Sequence, residues 1–201
     1  SWLLSTRARN RLADLAGVDA ATAERIVRRH VGVCLDACHA AVEFENVAQS
    51  LESLRRAGLR VAKAQLSTGL AVSDVDERKR EQLSAFADDV YLHQVVQREN
   101  GTLKRYLDLP EAIEAAGSRP IAPQEWRVHF HVPLFLRNLG SFENTQPLLA
   151  SLLDEWKIEP FTDHLEVETY SWNMLPAEFR DEDVVEAVAR ELRWVVEHLS
   201  R

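Results

Sequence analysis

Cysteine is scarce in this chain of 201 residues: there are two, Cys34 and Cys38, and both fall in one short stretch. On an extended strand they stand about 13 Å apart, too far for a disulfide. A CxxxC pair without further cysteines is a weak zinc signal, and two buried thiols in a reducing compartment is the plain reading. Long apolar runs are also missing. Nothing approaches the roughly 18 residues of a membrane span, and no secretory leader pattern is visible, so a cytoplasmic chain without membrane insertion is expected. Positive charge is in deficit: 24 Lys and Arg face 32 Asp and Glu, for a formal net charge of −8. That argues against a nucleic-acid partner, which needs a basic face. No Gly-rich phosphate loop, GxSxG elbow or HExxH occurs, so neither a nucleotide cofactor nor nucleophilic serine chemistry is announced.

What is present is an ordinary globular composition, 46% hydrophobic and 28% charged, of a length that fits one domain over residues 1–201. Helical spacing predicts helices over Ala8–Ala16, Ala20–His30 (capped by Asp19), Asn46–Ala57 (stopped by Gly58) and Lys79–Ala87. Further helices are predicted over Pro110–Ala116, Thr145–Trp156 and Asp183–Leu199. The last carries an apolar stripe of Val184, Val188, Leu192, Val195 and Val196. Between them lie β-branched or alternating runs at 31–36, Leu59–Leu66, Trp126–Pro133 and His164–Tyr170, read as core strands of a parallel α/β sheet. Ser67 to Arg78 reads as a loop. Val90–Gln97 and Thr102–Leu109, joined across Asn100-Gly101, form a hairpin read as an insertion into that sheet.

The strand ends are polar, which is where parallel α/β sheets bind ligands. Asp36 and His39 close the first run, Lys63 and Gln65 share a face of the second, and His129 and His131 share a face of the third. Glu166 and Glu168 alternate with Leu165 and Val167 on the fourth. A carboxylate on a core strand costs several kcal/mol unless it meets a cation, a donor or water. For Glu166 and Glu168 the alternatives are an outward ion pair or a binding site. For His129 and His131 they are a satisfied core pair or ligation of one metal at i, i+2. Asp36 either binds or caps the segment after it, and Trp172 either shelters a pocket mouth or packs in the core. His93 reads as structural.

Several stretches carry a resemblance: Gly32-Val-Cys-Leu-Asp-Ala-Cys-His-Ala-Ala-Val-Glu-Phe-Glu45, Ala62-Lys-Ala-Gln-Leu-Ser67, Tyr91-Leu-His-Gln-Val-Val96, Arg127-Val-His-Phe-His-Val-Pro133 and His164-Leu-Glu-Val-Glu-Thr-Tyr170. They resemble the xylose-isomerase-like TIM barrels and, within them, the EboE family of the Ebo metabolite-traffic cluster. The resemblance implies a (β/α)8 barrel of which this chain is the C-terminal half, strands five to eight. Such a half would be a fragment that dimerises or aggregates through its open edges. It implies a divalent metal (Mn, Zn or Mg) on Asp36, His39, His131 and Glu168, with Glu168 and Lys63 as the groups of a sugar isomerase or epimerase. Gln65, His39, His129, Glu166 and Trp172 would line the ligand site. Gln65 departs from the pattern, because relatives place a metal-ligating histidine there. The family reading is therefore traffic of a small polar or prenylated metabolite, alongside a membrane prenyltransferase-like partner, with the isomerase as the alternative.

Overall fold

A computed structural model describes residues 5–87, 91–117, 123–168, 172–176, 179–180 and 183–201. The chain opens with two helices, α1 (Thr6–Ala16) and α2 (Ala20–His30), and then enters β1 (Val33–Asp36). The carboxylate of Asp19 accepts from the Thr22 amide at 2.7 Å and starts α2, as its position before the apolar stripe predicts. Helices α3 (Ala37–Val42) and α4 (Val47–Arg56) lead to β2 (Val61–Leu66). Asn46 caps α4, and Gly58, at φ 65°, lets the chain leave the helix in the left-handed region that a side chain disfavours.

The barrel is not what forms. Among the described residues there are a three-stranded parallel sheet and a six-stranded antiparallel one, and no closed barrel. The divergence begins at Ser67. The segment after it, read as a loop, is a second strand, β3 (Thr68–Ser73), so the chain passes from one sheet straight into the other. The hairpin strands β4 (Val95–Glu99) and β5 (Thr102–Tyr106) are the edge of that second sheet and no insertion into the first. The helix α5 (Glu77–Leu83) precedes them and α6 (Leu109–Ala116) follows them. Asn100 and Gly101 at the turn have φ of 50° and 78°, as a type I′ turn requires.

The run expected as the third parallel strand, β6 (Gln124–Val132), lies antiparallel between β4 and β3. It leads through β7 (Asn138–Leu139) and β8 (Phe142–Asn144) to α7 (Gln146–Ile158). The strand β9 (Leu165–Val167) then returns and pairs directly with β2, in the place a barrel would have given to β6. The strands β3 and β4 pair with β6 on its two sides, and the cluster around Trp126, Phe130, Leu70 and Phe86 buries one face of it. Expected strand ends at Val90 and Tyr170 lie outside the described residues.

Helices cover one face of the parallel sheet. Ala64, Leu66, Leu35, Leu165 and Val167 pack with Leu51 of α4, Leu149, Leu152 and Leu153 of α7 and Val195 of α8 (Val184–Ser200). The closing helix keeps Val195 of the predicted stripe inward but rotates most of that stripe away from the core. Ala187, Glu191 and Val195 are buried, whereas Val184, Leu192 and Val196 are exposed. Glu191 goes in because its Oε1 accepts at 3.0 Å from the amide of Leu134, which lies beyond the end of β6.

Gly69 shows why these layers fit together. A Cβ there would stand 2.8 Å from the Val128 carbonyl and 3.0 Å from Cys38 Sγ. Gly69→Ala is expected to destabilise the protein by about 1–3 kcal/mol, because the nearer obstacle is backbone and cannot swing away. A urea denaturation midpoint equal to the wild type's would contradict it.

Candidate metal centre

The register of β3 against β6 builds the site. Thr68 stands opposite Val132 and Leu70 opposite Val128, so Gly69 alone faces the three residues His129, Phe130 and His131. A bulge of this kind re-aims side chains. Phe130 goes into the core on one face, while Arg127, His129 and His131 point to the other, toward α3. Arg127 marks that face by donating to the Ala41 carbonyl of α3 at 2.6 Å. The short α3 brings Cys38 against the same face, fully buried beside Gly69.

Cys38, His129 and His131 thus meet, and the ligand atoms they offer all lie within 4.8 Å of one another. Among the described residues this is the group of three or more that could hold a metal ion. Zinc bonds of about 2.0–2.3 Å would set tetrahedral ligands about 3.4–3.7 Å apart, so a contraction of about 1 Å closes the set. Both rings are oriented through Nδ1: that of His131 meets the Glu168 carbonyl at 3.1 Å, and that of His129 meets Gln94 Oε1 at 3.0 Å. An Nδ1–H donated to an oxygen leaves Nε2 as the lone pair, the arrangement metal-binding histidines adopt. His129 Nε2 is buried and has no hydrogen-bond partner among the described residues.

Burial first, then the neighbouring His39 and His131, pushes the His129 imidazolium down from 6.5 to about 4. Burial also lowers His131, with Asp36 opposing. Burial and the charges of Asp36 and Glu168 raise the Cys38 thiol well above its ordinary value. A neutral imidazole pair is ready to ligate, and a bound cation would reverse the logic for the thiol by deprotonating it.

The depressed His129 value carries a sign. Below pH 6.5 the unfolded chain takes up a proton that native His129 refuses until about pH 4. Its contribution to metal-free stability is therefore complete above 6.5 and lost progressively down to 4. Allowing for partial exposure, the loss is on the order of 2 kcal/mol. Urea midpoints of chelator-treated protein from pH 7.5 to 4 should fall more steeply for the wild type than for His129→Gln. Parallel curves would show that His129 is not held neutral.

The other candidate residues stand around this centre. Asp36 is the N-cap of α3: its Oδ1 accepts from the amides of Cys38 (2.9 Å) and His39 (3.2 Å) and from Ser67 Oγ (3.0 Å). His39 is exposed, its ring 4.1 Å from that of His129 and its Nε2 3.9 Å from Asp36 Oδ2. Asp36, Gln65 and Glu166 form one row across the parallel sheet, on the face that the helices leave open. Lys63 pairs with Glu166 at 3.0 Å, and Gln65 accepts from Cys34 Sγ at 2.9 Å and hydrogen-bonds Glu168. Burial and the charge of Asp36 raise the Glu168 carboxyl. Trp172 packs in the core of the antiparallel sheet. Of the four expected ligands Asp36, His39, His131 and Glu168, the converging group contains His131; Cys38 and His129 complete it.

Cys38 is readable in the sequence as a buried thiol or as half of a weak CxxxC zinc signal, whose other half, Cys34, is exposed. The available signal was its spacing: two residues after a strand-end aspartate, it lies in the first turn of a helix at that strand's carboxyl end. No family model matches the chain, and no curated protein or solved structure matches it. The fold and site thus define a mixed α/β protein with a candidate Cys–His–His metal centre. No helix of the described residues is long and apolar enough to cross a membrane.

Proposed function

We propose that the chain binds a divalent transition metal, zinc by its donor set, and that the centre serves a small polar molecule at the carboxyl ends of β1, β2 and β9. The observation that carries the reading is the convergence of Cys38, His129 and His131, with His129 Nε2 buried and without a hydrogen-bond partner among the described residues. One thiolate and two imidazoles suit zinc and disfavour the oxygen-seeking Mg and Mn. Three protein ligands leave a position for an exogenous ligand, and zinc held so acts as a Lewis acid toward an oxygen-bearing group. Beside it, Glu166 and Glu168 offer acceptors and Lys63 a donor to hydroxyl groups. A cavity of about 380 Å³, walled in part by His129, His39 and Gln94, is of a size for a small metabolite.

A second reading is the metabolite traffic implied by the EboE-like stretches, with a membrane prenyltransferase-like partner. It is favoured by Gln65 and Asp36, whose side chains are engaged by Cys34 Sγ and by the α3 amides and stand outside the group that could hold a metal. Metal content of the purified chain after incubation with zinc tests the first reading, together with the shift in thermal midpoint. One equivalent of zinc and a higher midpoint are expected, since a ligand binding only the native state stabilises it by mass action. Sub-stoichiometric metal with an unchanged midpoint would refute the metal centre and leave the traffic reading.

A further inference from the structure

We propose that Gln94 is a positioning residue of the metal centre, holding His129 in the tautomer and orientation that present Nε2 to the metal. The inference rests on the metal-binding reading above. Gln94 grips His129 twice: its backbone carbonyl accepts from the His129 amide at 2.8 Å, and its side-chain Oε1 meets Nδ1 at 3.0 Å. The first contact extends the β4–β6 ladder by one step and aligns the two residues. The second is a side-chain choice, and it has chemical content. An acceptor at Nδ1 places the ring proton there and leaves Nε2, the buried nitrogen, as the electron-pair donor.

Without that acceptor, the His129 proton can move to Nε2, where it would block ligation from inside the pocket. His131 is secured differently, by the Glu168 backbone carbonyl, which no substitution removes. The two imidazoles therefore differ: one is oriented by the fold, and the other by a replaceable side chain. Gln94 is itself exposed, outside the hydrophobic clusters, so changing it tests orientation without opening the core. It also borders the cavity that His129 and His39 wall, which puts this contact where a small molecule could reach it.

The test titrates the full chain with zinc against a chromophoric chelator and with cobalt(II), read by its visible d–d absorption. Gln94→Leu should bind zinc about 10–100-fold more weakly than the wild type, the usual effect of losing the partner of a metal-bound histidine. The cobalt spectrum should shift, and the melting curve of the metal-free protein should not. Gln94→Glu, which restores an acceptor at Nδ1, should return affinity to the wild-type level or above it. If Gln94→Leu matches the wild type, or if Gln94→Glu is as weak as Gln94→Leu, the positioning role is overturned while the metal centre stands. If the wild type binds neither zinc nor cobalt, the metal reading fails and this inference fails with it.

Discussion

Zinc affinity is expected to fall at least about 100-fold when Cys38 is replaced by serine or His129 by glutamine, since losing a ligand should exceed the 10–100-fold cost of losing a ligand's support. Cys38→Ser suits the purpose because the side chain is buried between α3 and Gly69, where a Cβ would already approach Sγ to 3.0 Å. Serine is smaller and of the same shape, so packing survives while the soft thiolate is lost. His129→Gln keeps a polar group in the half-buried slot, but its amide cannot place an imidazole lone pair between Cys38 and His131. Two controls separate this centre from the oxygen-rich one expected from the strand ends. Asp36→Asn should keep its zinc, because asparagine caps a helix as well as aspartate does and the cap is the role the hydrogen bonds show. His39→Ala should also keep it, as an exposed ring outside the converging group. Competition titrations on the four variants decide the matter. If Asp36→Asn and His39→Ala lost zinc while Cys38→Ser retained it, the metal would sit on the carboxylate side.

Trp126→Ala should cost about 3–5 kcal/mol, the range for emptying a large aromatic site in a packed core. Trp126 is wholly buried in the middle of β6, the strand held between β3 and β4. Its Nε1 donates to Gln124 Oε1 at 2.8 Å, and the same oxygen accepts from Gln97 Nε2 at 2.6 Å, so the indole is tied to the neighbouring strand as well as packed. Removing it opens a cavity in the cluster that also holds Val128 and Phe130, either side of His129. Against a typical total of about 5–15 kcal/mol, this is enough to unfold a marginal domain. Trp126→Phe, which keeps most of the volume and loses the indole N–H, should cost less than half as much. Denaturant melts read both. Equal losses would mean that the hydrogen bond, and not the volume, holds the strand. Because β6 carries two of the three ligands, folded Trp126→Phe should also bind zinc somewhat more weakly than the wild type.

Much of the local structure is readable from single residues. Asp19, Asn46 and Asp183 begin their helices because a carboxylate or amide oxygen satisfies first-turn amides, and that chemistry needs no tertiary partner. Asn100-Gly101 turns the chain because the two residues tolerate positive φ. Period-two alternation likewise separates Lys63, Gln65 and Glu166 from Ala64, Leu66 and Leu165. The structure keeps that division, with the first set on the open face of the parallel sheet and the second in its core. Asp36 illustrates the limit. Capping and ligation ask for the same oxygen at the same place, and the choice depends on what lies across the gap.

By itself, then, the sequence determined where capped helices such as α2, α4 and α8 begin, where the chain reverses at Asn100-Gly101, and which side chains share a strand face. Only the tertiary structure decided which strands meet. Alternation says that His129 and His131 point the same way, but it does not say whether β6 lies parallel beside β2 or antiparallel beside β3. The outcome turned on long-range burial of Trp126 and Phe130 and on the strand after Ser67. The same holds for the metal centre. Cys38 and His129 are 91 residues apart in the chain, and no periodicity links them. They meet because Gly69 has no side chain to keep α3 from the sheet, and because the antiparallel register of β6 against β3 sets the histidine face toward it.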